Sequence, residues 1–386
     1  MHVVVLGAGY AGVTLTRKLE SLLPNSVELT LVDESETHLV QHEVHRAIRR
    51  PSITDVIEVP LASLFDRTEI VTDCVVDVDT DTNQVTLDSD ETLSYDYGAV
   101  CLGAETAYYA LPGLEAHGLP LKTTTDAEAI RQQALAAIDS DESARFVVGG
   151  AGLSGVQVAG ELATLATEED AADRIEIVVI EQLASVAPAF PEAFQRAVHD
   201  ELGARDIEIR TETAVIEATG STIETRHEPT GESHTVAYDL FVWTGGIGGS
   251  DVMAGDRPVV QSDLRLTNST FGLGDAAKII DADGEAVPAS AAAAIRSARV
   301  AAENIASLIE WELAGREGFE PRLSQFRFDA PGWIVSVGDG AVAQVGPKVV
   351  TGSAAKALKA SVGAGYLTSV RAIRQATELV GEELNA

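Results

Sequence analysis

Six glycines in two sets carry the first chemistry that can be read from this chain. Gly7, Gly9 and Gly12 stand in VVVLGAGYAG at residues 3–12, and Gly150, Gly152 and Gly155 stand in FVVGGAGLSG at residues 146–155. In each set an apolar run ends in Gly-x-Gly-x-x-Gly and passes directly into a helical pattern. The first glycine permits a tight turn, the second lets backbone N–H groups approach a pyrophosphate, and the third lets the helix pack closely on its strand. The pyrophosphate would then rest at the positive end of the helix. Asp33 and Glu181 each close the strand-like run that follows, where a carboxylate can accept hydrogen bonds from an adenosine ribose. Two cradles imply two dinucleotides. Around Glu181 the chain reads IEQLASVAPAF, with no lysine or arginine before Arg196. Nothing there greets a 2′-phosphate, so the second cradle suits NADH over NADPH.

A third carboxylate ends another strand-like run, RLTNSTFGLGDAAKI, at Gly274-Asp275, where it can accept from a flavin's ribityl hydroxyl. With the motifs in this order, the chain resembles the two-dinucleotide flavoproteins. Three stretches sharpen the likeness to the type II NADH dehydrogenase group, which also contains the sulfide:quinone oxidoreductases. YDYGAVCLGAET, with Gly103, is similar to that group's turn over the flavin pyrophosphate. LFVWTGGIGGSDV, with Gly245 and Gly246, is similar to its Trp-Thr-x-Gly stretch. GWIVSVGDGAVAQVG followed by VVTGSAAKALKASVGAGYL is similar to its C-terminal segment. The resemblance spans nearly the whole chain. It implies FAD in the first cradle and NADH in the second, with hydride passing from nicotinamide to flavin and electrons passing on to a quinone or another acceptor.

The chain departs from the group's pattern at several positions. Leu102 stands where a threonine is usual, Gln157 follows Gly155-Val156 where a glutamate is usual, and Ala292 and Arg296 replace two glutamines on the quinone side. These departures bear on the acceptor. They keep open a flavoprotein with a soluble acceptor and a redox-sensing protein that binds FAD and NADH without turning over. Sulfide chemistry needs a cysteine pair beside the flavin. Cys74 and Cys101 instead fall on strands of the adenosine half, where Val75 is counted among the cofactor-binding residues. The resemblance places Lys359 near flavin and quinone, and the segment THLVQHEVHRAIRR beside the flavin ring. Lys359, Gln157 and His42 are therefore the catalytic candidates, with a helix-surface lysine and a polar lining as the plainer readings of Lys359 and His42. His38, His42 and His45 have no metal-site context, and no metal is expected.

The elements that must position these residues are two β-α-β units, each with a parallel sheet. Short strand-like runs near 70–102 and 207–244 read as meanders laid over them. The expected fold is α/β: two Rossmann-like domains, the FAD domain interrupted by an inserted NADH domain, and a small C-terminal α+β segment. The expected boundaries are 1–118 and 247–325 for the FAD domain, 119–246 for the NADH domain, and 326–386 for the C-terminal segment.

The 386 residues carry a net charge of −33, from 60 acidic and 27 basic side chains. Such acidity excludes the basic stripe that nucleic acid requires. It suits a solvated, self-repelling surface in high salt and so a halophilic source, with an acidic interaction face as the alternative. Two cysteines fit a reducing cytoplasm, there is no room for a signal peptide before the first strand, and no run is long enough to span a membrane. Between Asp339 and Glu378 there is no acidic residue, yet Lys348, Lys356, Lys359, Arg371 and Arg374 occur there. Leu358, Val362, Tyr366, Leu367, Val370 and Ile373 recur at helical spacing in the same span. This stripe would either lie on an anionic membrane at its inner face or pack on the body of the protein. A homodimer is also left open.

Overall fold

A computed structural model describes residues 1–140, 142–316, 318–330 and 332–384. The apolar runs before the glycine turns are central strands of two parallel sheets. Both faces of such a sheet are covered, so its strands read as continuous apolar segments rather than alternating ones. The first sheet runs in the order Thr270–Gly272, Tyr97–Val100, His2–Leu6, Glu28–Asp33, Glu69–Thr72, every pair parallel. Its edge strand Thr270–Gly272 comes from beyond the whole second sheet, so the first domain is interrupted and resumed. The second sheet runs Glu208–Arg210, Ile175–Ile180, Ala144–Gly149, Leu240–Trp243, again all parallel. The chain passes between the two domains where Glu105–Thr106 pairs antiparallel with Ile247–Gly248.

Each domain carries a three-stranded antiparallel meander. One is Val75–Asp79, Gln84–Leu87 and Thr92–Ser94, and the other is Thr213–Ala218, Thr222–His227 and Ser233–Ala237. The helices after the glycine turns are Tyr10–Leu22 and Leu153–Glu168. The alanine-rich helix Ala291–Leu313 lies against the first of these, with Ala298, Ala301 and Ala302 fully buried so that the backbones approach closely.

The C-terminal segment is an antiparallel sheet, Gly332–Val337, Gly340–Val345 and Lys348–Thr351, followed by helices Gly352–Ser369 and Ile373–Leu384. The sheet sits tightly on the second domain. A Cβ added at Gly160 of helix Leu153–Glu168 would come within 2.3 Å of the Gly338 backbone nitrogen. The apolar stripe expected as one helix is divided, because Arg371 has φ +67° and turns the chain between the two helices. Tyr366, Leu367 and Val370 are buried in the protein, whereas Val362 and Ile373 remain exposed. Among the described residues no helix is long and apolar enough to cross a membrane.

Candidate dinucleotide sites and the buried cluster beside them

The two glycine turns are built alike. Gly7 and Gly150 have φ +96° and +95°, in the region that favours glycine. Their N–H groups donate to Val32 and Ile180 at 2.7 and 2.8 Å. A Cβ on Gly12 or Gly155 would meet the carbonyl oxygen of Gly7 or Gly150 at 1.8 or 1.9 Å, so each third glycine brings helix and turn into contact. A Cβ on Gly9 or Gly152 meets nothing within 4 Å. The space above each second glycine is therefore open to a ligand at a helix N-terminus, and both turns fit a pyrophosphate.

Asp33 and Glu181 do more than the sequence suggests, because each also braces its own turn. Asp33 accepts from the Ala8 N–H and, at 2.9 Å, from the Ser35 N–H. Glu181 accepts from Ala151 and Leu183, both at 2.8 Å. Every carboxylate oxygen keeps a further lone pair for a ribose hydroxyl. Burial raises the Asp33 pKa, against the bonds from Ala8 and Ser35.

The residues after the adjacent strands close the cradles. Leu102 Cα and Cys101 lie against Gly7 just as Gly245 and Thr244 lie against Gly150. Leu102, the departure from the group's threonine, thus occupies the place that Gly245 takes in the second turn. Gly246 is covered by Tyr109, whose hydroxyl would be 1.9 Å from an added Cβ, and Gly103 has φ +75° with open space around it.

A cleft of about 710 Å³ brings together Gly7, Asp33, Val75 and Leu102 with Cys74, Lys122 and Asp126. Gly274 has φ +61° and lies against Ala11 at the start of the first glycine-turn helix. Asp275 beside it is half-buried. Burial raises its pKa, and Lys122 and Arg257 draw it back. Sequence reasoning missed both cations. Arg257 donates to the carbonyls of Asp275 and Ala277 at 2.6 and 3.0 Å and so holds that turn in place. Lys122 is one of only six lysines in the chain, which was the available signal. Cys74 is exposed in the cleft and Cys101 is buried with its thiol pKa raised by burial, so they are separate, unpaired thiols.

Lys359 and His42 meet at the 3₁₀ segment Gln41–Ile48, and helix Leu153–Glu168, which carries Gln157, packs against the same segment. Lys359 is buried and donates to Glu43 at 2.9 Å and to Glu383 at 3.3 Å, and Arg46 reaches the same two carboxylates at 3.3 and 3.1 Å. Burial pushes the Glu43 pKa up, but Lys359 and then His42 and Arg46 outweigh it and hold the carboxyl well below its ordinary range. Arg49 continues the cluster to Glu161 and Glu168, both at 2.8 Å, and to Asp339 at 2.6 Å. First domain, second domain and C-terminal segment therefore meet through charged side chains. Gln157 is half-buried one helical turn before Glu161 and shares its face. His42 is half-buried, with one ring nitrogen at Tyr10 Oη and the other 3.3 Å from Glu43. Of the two glutamine-replacing residues, Ala292 is exposed, and Arg296 donates to the Asp329 carbonyl. Among the described residues no group of side chains could hold a metal ion.

Two equivalent glycine turns, a carboxylate bracing each and a returning Gly-Asp turn are the features of a protein that holds two dinucleotides on one α/β frame. Residues 1–298 match the pyridine nucleotide-disulphide oxidoreductases, and the chain belongs to that family. It is 27% identical over 365 residues to a demethylphylloquinone reductase of Synechocystis sp., covering 88% of this chain and 86% of that one. It is 24% identical over 387 residues to a type II NADH:quinone oxidoreductase of Staphylococcus aureus, covering 92% of each. Its fold is that of NDH2 from Plasmodium falciparum in complex with NADH, with a TM-score of 0.84, 14% identity, and coverage of 98% of this chain and 97% of the other.

Proposed function

We propose that the protein is an FAD-dependent NADH:quinone oxidoreductase of the type II kind. The observation that carries this reading is the pair of equivalent turns, one followed by the Gly274-Asp275 return, in a chain whose relatives are named for quinone reduction. FAD, when bound, takes a hydride equivalent from NADH and passes two electrons to the quinone, which becomes quinol with protons from solvent. The chain's own work is to bind and orient. The Gly7–Gly12 turn and Asp33 hold the flavin dinucleotide, Gly274 and Asp275 hold its ribityl side, and the Gly150–Gly155 turn with Glu181 holds NADH.

Lys359 and Glu43 keep the wall between the three parts charged and ordered, and His42, 3.3 Å from Glu43 and more exposed than either, is a group that can move a proton there. The C-terminal cations are mostly engaged within the protein: Lys359 as above, Arg371 with Asp66 and Arg374 with Glu378. The exposed Val362 and Ile373 remain as a small apolar contact for a membrane surface. Purified in molar salt, the protein should carry a flavin spectrum, bleach with NADH under anaerobic conditions and recover on adding a quinone. Bleaching without recovery by any quinone would favour a soluble acceptor.

A further inference from the structure

The two turns differ in one respect that neither motif shows. In both, the alanine peptide between the first two glycines is held at its N–H by the ribose-side carboxylate and at its carbonyl by a second donor. In the second turn that donor is a backbone N–H of the segment after strand Ile175–Ile180: Ala187 donates to the Ala151 carbonyl at 2.8 Å. In the first turn it is a side chain. His38 is fully buried, and its Nδ1 donates to the Ala8 carbonyl at 2.8 Å.

A carbonyl only accepts, so Nδ1 carries the proton and Nε2 is left as an acceptor. Tyr366, on helix Gly352–Ser369, donates its hydroxyl to that Nε2 at 2.8 Å. The same Tyr366 ring packs edge-on against Tyr10, the first residue of the glycine-turn helix, with centroids 4.8 Å apart. Tyr366 and His38 are 328 residues apart, and no other described atom competes for either bond.

We infer that His38 is the positioning residue of the first cradle, and that Tyr366 fixes its tautomer, so that docking of the C-terminal helix sets how tightly FAD is held. This rests on the reading that the first cradle binds FAD. The chemistry is simple. The N–H groups offered to a pyrophosphate are useful only if the turn does not rotate, and an unbraced Ala8 peptide can turn about the flexible glycines on either side. The second cradle needs no such link, because its brace is main chain of the second domain itself. NADH, which must come and go at each turnover, then sits on a turn closed by backbone of its own domain. The retained dinucleotide sits on one clamped from the far end of the chain.

The test measures FAD and NADH dissociation constants of the full-length protein in molar potassium chloride. FAD is followed by flavin fluorescence on reconstituting flavin-depleted protein, and NADH by its own fluorescence. His38→Ala should weaken FAD by about tenfold or more, the factor that one buried hydrogen bond is worth, with NADH within about twofold of wild type. His38→Asn, whose amide N–H can take the place of Nδ1, should recover most of the loss. Tyr366→Phe, which keeps the ring against Tyr10, should fall between wild type and His38→Ala. Unchanged FAD affinity in His38→Ala, an equal loss of FAD and NADH, or no recovery in His38→Asn would overturn the inference. A wild-type protein that binds no FAD would instead overturn the functional reading on which it rests.

Discussion

Replacing Lys359 by methionine keeps its length and removes its charge. Lys359 and Arg46 face Glu43 and Glu383, two cations against two anions, with side-chain exposures of 8% and 5% against 2% and 8%. Water cannot take the place of the missing cation, so the variant leaves one buried carboxylate without its counter-charge. Breaking a buried pair from one side costs about 3–5 kcal/mol. Lys359→Met should lose that much in denaturant titrations performed in molar potassium chloride with saturating FAD. Salt should not restore it, since screening reaches exposed charges and not buried ones. Adding Glu383→Gln removes the excess negative charge and should return most of the loss.

The pH dependence has a definite sign. Glu43 has a depressed folded-state pKa, so its contribution is present above the unfolded carboxylate value and lost as pH falls through the folded one. With Lys359 gone that folded value rises, and acid unfolding should begin at higher pH. The reasoning fails if Lys359→Met is within about 1 kcal/mol of wild type, the range of an exposed pair, or if Glu383→Gln deepens the loss. Lys359 would then be a residue held for chemistry at the acceptor rather than for assembly.

Three further outcomes follow from other parts of the molecule. Glu181→Ala should raise the KM for NADH roughly tenfold or more, as expected for a lost charged hydrogen bond, with flavin content unchanged; a wild type that prefers NADPH would remove Glu181 from this role. His38 has its pKa lowered to about 4 by burial, with the Ala8 bond raising it and His42 lowering it further. Its neutral-state contribution to stability is full above the ordinary value of about 6.5 and is lost as pH falls through about 4, so the loss of stability across that window should flatten in His38→Asn when its acid unfolding is compared with that of wild type. With a net charge of −33, the melting temperature should rise between dilute buffer and molar potassium chloride, and an unchanged or lower value would contradict the high-salt reading.

The cradles were legible because every requirement they impose is local. Gly7, Gly9, Gly12 and Asp33 lie within one β-α-β unit, and so do Gly150, Gly152, Gly155 and Glu181. The interruption of the first domain was legible for a related reason, since Gly274-Asp275 repeats a strand-to-turn ending after the second unit is complete. What stayed hidden depends on partners far along the chain. THLVQHEVHRAIRR shows three histidines, but not that His38 braces Ala8 or that Glu43 meets Lys359 across 316 residues. Arg257 and Lys122 sit outside any motif, and only tertiary packing brings them to Asp275. The C-terminal stripe misled for a different cause. Helical spacing continues smoothly through Val370–Ile373, and nothing in that pattern announces the positive φ at Arg371.

The interrupted first sheet also imposes an order on assembly. Tyr97–Val100 finds one neighbour in His2–Leu6, but its other neighbour, Thr270–Gly272, leaves the ribosome 170 residues after Val100. At about 5–20 residues per second, that is on the order of 10–30 s during which an apolar sheet edge has no partner. The second sheet, lying wholly between Ala144 and Trp243, can close while the first waits. Protease resistance of ribosome-stalled chains should therefore appear in the 144–243 region before the N-terminal one, and the reverse order would refute this sequence of events. The last ties, from Lys359 to Glu43 and from Tyr366 to His38, form only after helix Gly352–Ser369 has been made. A chain cut before that helix would thus be left with its first nucleotide turn unlatched, so that the turn is finished only by residues made long after it.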